Sequence, residues 1–398
     1  MAYTTINKSS AYMDTCIWDG NNSTSDRNIT TGVNGADLVW TKRRNNTYPH
    51  MVFDSVRTFA GDKGLSTQDN SAEGSVAAAA NGYIGGTGDS FITLKEGSGD
   101  IAYTNASGGE YAAWSWKAGT TSGLSGGTIT PSAYSINTTS KFGIYKYTGN
   151  GTNGATIAHG LGATPTFMIF KKTSGTDDWK VYHKSIGATK SIRLDSNDGE
   201  SSDSTLLNST APTSTLITLG TSSAINTSSE TYICYAFCDV AGHCKTGSYT
   251  GNGDATNSPF VYCGFKPRFL LGKRSDAAGQ NWFLLDTTRQ EYNNRGNVLY
   301  PEVNYAEGTT YYIDMLSNGW RWNVSGSGEN GSGNTYNPNN TRLLANANNT
   351  EATIDLDFLS NGIKFRTTDN AVDHANTYIY MAFGQTMVGT NDIPATAR

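Results

Sequence analysis

Residues 245–286 read KTGSYTGNGDATNSPFVYCGFKPRFLLGKRSDAAGQNWFLLD, and three signals follow one another there. Ser248-Tyr249-Thr250-Gly251-Asn252-Gly253 is a strand running into a tight turn. Phe269-Leu270-Leu271-Gly272-Lys273-Arg274 is an apolar run closed by two basic residues, and Trp282-Phe283-Leu284-Leu285-Asp286 is an aromatic strand. The turn recurs as Tyr147-Thr148-Gly149-Asn150-Gly151 and, more weakly, as Trp18-Asp19-Gly20-Asn21-Asn22. The basic-closed run recurs as Phe167-Met168-Ile169-Phe170-Lys171-Lys172 and Leu38-Val39-Trp40-Thr41-Lys42-Arg43. From turn glycine to first lysine the distance is 22 positions each time: Gly20 to Lys42, Gly149 to Lys171, Gly251 to Lys273. Equal spacing in three diverged copies marks one folding unit present three times.

Working outward, each copy closes on a Tyr-led strand: Tyr111-Ala112-Ala113-Trp114-Ser115-Trp116, Tyr232-Ile233-Cys234-Tyr235-Ala236-Phe237 and Tyr378-Ile379-Tyr380-Met381-Ala382-Phe383. Unit one then covers residues 1–117 with a short amino-terminal arm, unit two 141–240 and unit three 241–385, followed by a carboxyl-terminal arm at 386–398. Residues 118–140, rich in Gly, Ser, Thr and Ala around Pro131, have the composition of a linker. This longer link leaves unit one free to sit apart, whereas residues 239–243 are short enough to press units two and three together. From first lysine to closing tyrosine is 69 positions in unit one (Lys42 to Tyr111), 61 in unit two (Lys171 to Tyr232) and 105 in unit three (Lys273 to Tyr378). The excess in unit three falls between Asn293 and Ile354 and is expected to be an inserted hairpin with a long Gly-, Ser- and Asn-rich loop at 325–340.

Apolar runs are short, turn signals recur roughly every eight to twelve residues, and no helical period is sustained. That pattern specifies an all-β sandwich or barrel. Charged residues make up 16% of the chain, aromatics 11%, and the net charge is -5. A segment too poor in apolar residues to fold is thereby excluded, and the mild acidity argues against a nucleic-acid binder, which carries a basic stripe. No apolar run reaches the roughly eighteen residues of a membrane span. The start, MAYTTINKSS, has no basic region followed by an apolar core. Five cysteines, Cys16, Cys234, Cys238, Cys244 and Cys263, are odd in number and irregular in spacing. They are expected to be free, buried thiols of a protein made in a reducing compartment. Cys238, His243 and Cys244 are potential metal ligands but lack a CxxC pair, so no metal and no cofactor is expected.

Asp54 and Arg57 correspond to Asp286 and Arg289, with His183 and Ile186 at the same places in unit two. A catalytic acid is not expected to degenerate in this way; a fixed Asp–Arg pair closing a strand end is. His159, in a Gly-rich turn before Pro165, caps that turn. No HExxH or GxxxxGK[ST] occurs; Asp177 and Asp178 precede Trp179 in a turn, and Asp355 and Asp357, alternating with Leu356 along a strand, read as the solvent-facing half of a period-two pattern. No catalytic residue is therefore assigned, and the chain is not expected to be an enzyme. Aromatics are the stronger lead, because Trp and Tyr faces stack on sugar rings while Asn supplies hydrogen bonds to hydroxyls. The candidate ligand-binding residues are Trp320, Trp322, Asn330, Asn334 and Tyr336; for the two tryptophans, ligand stacking and core filling both stay open. Trp282, with its counterpart Trp179, belongs to the core.

MAYTTINKSSAYMDT, YTGNG followed by HGLGATP, the W-x-x-x-[DH] strand and LSNG…TYIYMAFGQ together resemble repeat proteins of tailed bacteriophages, most familiar from marine and cyanobacterial phages. The resemblance runs over nearly the whole chain. Unit one departs from it with Ala36 where the others have Pro165 and Pro267. It implies concanavalin A-like (jelly-roll) sandwich units and a tail-fibre or other virion structural protein. It also implies a virion location and recognition of host cell-surface polysaccharide. The partners it implies are other virion proteins and further copies of the chain in a homo-oligomer, with a trimer foremost. A capsid decoration or head-fibre protein and a polysaccharide depolymerase are the alternatives. Neither nucleic-acid binding nor membrane insertion is expected.

Overall fold

Runs of β-branched and aromatic residues closed by Gly, Asn and Ser turns favour extended backbone. The computed structural model describes residues 4–75, 78–289, 299–302 and 356–385, and there the protein is almost wholly antiparallel strand. The first repeat holds β1 (Met13–Asp19), β2 (Arg27–Thr30), β3 (Leu38–Arg43), β4 (Met51–Asp54), β5 (Leu65–Ser66), β6 (Tyr83–Gly88), β7 (Phe91–Lys95) and β8 (Glu110–Trp116). The second holds β9 (Ala133–Asn137), β10 (Phe142–Thr148), β11 (Ala155–Ala158), β12 (Phe167–Lys172), β13 (Lys180–His183), β14 (Lys190–Arg193), β15 (Ser201–Ser202), β16 (Leu216–Leu219) and β17 (Thr231–Phe237). The third holds β18 (Cys244–Thr250), β19 (Phe260–Tyr262), β20 (Lys266–Arg274), β21 (Phe283–Asp286), β22 (Leu356–Leu359), β23 (Gly362–Phe365) and β24 (Thr377–Gln385). The α-helices among the described residues are single turns, Ala78–Asn81 and Ser223–Asn226.

Each repeat is a sandwich of a larger inner and a smaller outer sheet. The inner sheets share one order of opening, closing, basic-closed and aromatic strand: β1-β8-β3-β4, β10-β17-β12-β13 and β18-β24-β20-β21. The outer sheets are β2-β7-β6, β11-β16 and β19-β23-β22. Register is equivalent too, since Leu38 faces Trp116, Phe167 faces Phe237 and Phe269 faces Phe383. The 22-residue spacing thus places the same strand pair in three sandwiches.

The repeated turn has a steric and a polar cause. A Cβ at Gly20, Gly149 or Gly251 would lie 1.9, 2.4 and 2.2 Å from the carbonyl oxygens of Ala106, Thr227 and His374, so only glycine permits the approach. The same loops are held by the closing tyrosines. The Tyr111 hydroxyl accepts from Ala106 N and donates to Ala102 O. Tyr232 does this with Thr227 and Ser223, and Tyr378 with His374 and Asn370. Trp18, Tyr147 and Tyr249 stack on these rings at centroid separations of 5.4, 5.4 and 5.0 Å.

Both faces of every inner sheet are buried. One packs on its own outer sheet; the other contributes to a core shared by all three repeats. At its centre Trp116, Phe237 and Phe383 touch pairwise, with centroids 6.2, 6.0 and 5.9 Å apart. The three rings occupy equivalent positions, so the repeats surround a pseudo-threefold axis. Unit one therefore does not sit apart: burying both faces of its inner sheet requires the other two repeats. The stretch 118–140 is not a free linker either. It contains β9, which extends the second inner sheet, and Ala118, Ile129 and Ile136 are buried. Residues of the amino-terminal arm are likewise tied within the chain: Ser9 N donates to the Gln385 side chain at 2.8 Å and Ser9 Oγ bonds His243. The inserted hairpin expected between Asn293 and Ile354 lies outside the described residues apart from 299–302, and the arm 386–398 lies wholly outside them.

Candidate functional site

Trp320, Trp322, Asn330, Asn334 and Tyr336 lie outside the described residues. The other six tryptophans of the chain, Trp18, Trp40, Trp114, Trp116, Trp179 and Trp282, are all core residues. Trp282 and Trp179 match in role as well as position. Each donates its indole N–H to a carbonyl of the preceding repeat, Trp282 to Arg193 O at 2.7 Å and Trp179 to Ser66 O at 2.8 Å.

The repeated acidic position forms a latch between repeats. The Asp54–Arg57 pair is fully buried at 2.7 Å, and Asp54 accepts from the Tyr235 hydroxyl of the second repeat at 2.7 Å. Asp286, paired with Arg289, accepts from the Trp114 indole of the first repeat at 3.0 Å. His183, at the equivalent place, bonds the Tyr380 carbonyl of the third repeat through Nε2 at 3.1 Å, and its Nδ1 accepts from Ser185 N. The latches run from first to second, second to third and third to first repeat. Burial sets the charge states. It pulls His183 down to about 4, so this histidine is the neutral tautomer that donates to Tyr380. At Asp286 the nearby Arg289 charge and hydrogen bonds from Arg289 and Trp114 outweigh burial, which acts upward, and the carboxyl is held below its ordinary value. Both aspartates are sealed in the core and engaged from several sides, which suits them to fixing strands, as the sequence implied.

The first lysine of each basic-closed run is buried and caps a loop. Lys42 Nζ donates to the carbonyls of Arg43, Asn46 and Tyr48, each at 2.7 Å. Lys171 donates to Asp177 O at 2.9 Å and to Asn70 O of the first repeat at 3.0 Å; Lys273 donates to Gln280 O. Burial lowers Lys171 to about 8 against the pull of Asp195, Asp177 and other acids. Asp195 is raised to about 6 by burial and by the Asp178 charge, with Arg193 opposing.

One recurring motif escaped the sequence reading. Asn70-Ser71-Ala72-Glu73 and Asn197-Asp198-Gly199-Glu200 each lap over the following repeat. Glu73 N donates to Thr173 O and Glu200 N to Ser275 O, while Asp177 N donates to Asn70 O and Gly279 N to Asn197 O. The signal was an Asn-x-x-Glu 16 positions after Asp54 in the first repeat and 14 after His183 in the second, too short and too variably placed to stand out against a polar background.

All five cysteines are free and buried. Cys238, His243 and Cys244 do not converge, and no cluster of His, Cys, Asp or Glu able to hold a metal occurs among the described residues. His243 packs edge-on against Phe383 and Tyr12. His159 caps its turn, with Leu161 N donating to Nδ1 at 3.3 Å and Nε2 meeting Thr213 O at 3.1 Å. A cavity of about 20 Å³ lies in the shared core, lined by Leu38, Trp40, Thr67, Trp116, Tyr235, Met381 and neighbours. It is close to the volume of a single water. The exposed aromatics that stand out among the described residues are Phe260 and Tyr262 on β19, which the sequence reading did not single out.

The chain belongs to a family described as "Domain of unknown function (DUF7483)", whose model matches residues 8–337 and 336–386. No curated protein and no solved structure matches it.

Proposed function

We propose that the chain is a structural component of a tailed-phage virion, a tail-fibre or tail-tip part that contacts polysaccharide on the host surface. The observation that carries this reading is the closed arrangement of three sandwiches on one core. Among the described residues its acidic and basic groups of chemical interest are engaged in latches and loop caps rather than gathered round a cleft. Such a body suits rigid display better than turnover. The free, buried thiols are in keeping with synthesis in a host cytoplasm before incorporation. The proposal places polysaccharide contact at Trp320, Trp322, Asn330, Asn334 and Tyr336 and includes self-association, with a trimer foremost, on other virion proteins.

Copy number per virion, measured by quantitative mass spectrometry against the major capsid protein, is the test. A few to some tens of copies is the expected result. Hundreds of copies would replace it with capsid decoration, and absence from purified virions would end both readings. Incubation with host polysaccharide supplies the second arm: falling polymer size would make the protein a depolymerase. Light scattering that returns the 42.6 kDa monomer at all micromolar concentrations would remove the trimer.

A further inference from the structure

The first outer-sheet strand after each turn glycine is β2, β11 or β19, and among the described residues each has one strand partner, β7, β16 and β23 respectively. The open side of such a strand presents unpaired N–H and C=O groups. In the second repeat that side is covered by the chain itself. Thr128 and Ile129 both donate backbone N–H to Thr156 O at 2.9 Å, and Thr156 N donates to Thr128 Oγ1 at 2.7 Å. Gly127 and Ile129 form bridges to Ile157. The cover comes from the segment ahead of β9 and β10.

Among the described residues the third repeat has no such segment in the corresponding place. β17 ends at Phe237 and β18 starts at Cys244, and the short link between them closes on itself through Val240 and Cys244. Side chains differ in step. On β2 the exposed residues are the polar Asn28 and Thr30. On β19 they are Phe260 and Tyr262, 45% and 59% exposed, while Val261 between them is buried in the sandwich. Neither aromatic belongs to the buried core of the sandwich. The Phe260 ring lies along the sheet over Gly362, where a Cβ would come within 2.7 Å of it.

We propose that β19 is a docking edge for an extended segment of a partner polypeptide, which adds as a strand beside it while Phe260 and Tyr262 pack on the incoming side chains. The partner segment is uncharged and carries small and β-branched residues, as Gly127-Thr128-Ile129 does on the equivalent edge. The inference stands on the edge alone, and so it can fail or hold independently of any place in a virion.

The test uses the full chain, hydrogen–deuterium exchange and a peptide of residues 124–132 as probe. Alone, the outward amides of residues 260–262 should exchange as an open edge does. Millimolar peptide should slow them, and Phe260→Ser with Tyr262→Ser should weaken the peptide about tenfold. The melting temperature of that double variant should stay within about 2 °C of the parent, because both side chains are largely exposed. Protection in the protein alone would mean that the chain covers its own edge, and would overturn the proposal. So would absence of protection at saturating peptide. Perturbation of the same residues by maltohexaose but not by peptide would make the pair a sugar platform instead.

Discussion

Removing one oxygen atom, in Tyr235→Phe, probes whether the repeats are latched as described. The Tyr235 hydroxyl donates to Asp54 Oδ2 at 2.7 Å and lies 3.3 Å from Arg57 Nη2, with all three side chains buried. Without it Asp54 keeps Arg57 Nε at 2.7 Å and Arg57 N at 2.9 Å, so no carboxylate is orphaned. The loss is then that of one hydrogen bond to a charged group, about 1.5–3 kcal/mol. Asp54→Asn is harsher, because it strips the countercharge from a buried guanidinium. Glu73, 3.2 Å from Arg57, offsets part of the about 3–5 kcal/mol expected for breaking a buried pair. The double variant should lose less than the sum, with a coupling of about 1–2 kcal/mol, since both changes act on one network. Urea unfolding followed by tryptophan fluorescence and by circular dichroism measures all three. A Tyr235→Phe midpoint equal to the parent's, or losses that simply add, would refute the latch. Separate transitions for the repeats would refute the shared core on which it rests.

Further outcomes follow from the same contacts. Gly149→Ala places a Cβ 2.4 Å from Thr227 O, so backbone must move, and thermal unfolding should register a loss of about 1–3 kcal/mol. Acid should weaken the fold through His183. Its folded value, about 4, lies below the ordinary 6.5, so the unfolded chain takes the proton first. Stability present above pH 6.5 is lost as pH falls toward 4, by about 3 kcal/mol at 1.36 kcal/mol per pH unit. Asp195, raised to about 6 from the ordinary 3.8, opposes as pH falls from about 6 to about 4, so the comparison is between parent and His183→Gln, whose pH–stability slope should be shallower. All five cysteines should be silent to a thiol reagent in the native protein and react on unfolding; a fast-reacting thiol would contradict their burial.

The repeat, the strand equivalences and the Asp–Arg pairs were legible because each rests on local chemistry that survives divergence. A glycine against a carbonyl, a tyrosine capping the loop before it and a lysine capping the loop after it tolerate few replacements. The contacts between repeats were not legible. Trp114, Tyr235 and Met381 occupy one structural position, yet nothing in their chemistry announces a common role. Composition misled at 118–140, where a linker-like stretch supplies β9 and covers β11 through few but well-placed backbone bonds. Phe260 and Tyr262 were hidden for the opposite reason: a period-two aromatic pair looks the same whether it faces a core or solvent.

The same three positions explain why the second repeat has a histidine where the others have aspartate. A buried carboxylate needs donors. Asp54 finds one across the junction in the Tyr235 hydroxyl, and Asp286 finds one in the Trp114 indole. The second repeat faces the third, where the residue in register is Met381, whose thioether donates nothing. An aspartate at 183 would lose its donor across the junction, and Ile186, in the place of Arg57 and Arg289, would not neutralise it. Histidine removes the conflict, because its ring N–H donates to a backbone carbonyl, Tyr380 O, that is present whatever the side chains are. Each latch is thus matched across its own junction rather than copied around the axis. Sequence divergence between the repeats records which neighbour each one meets.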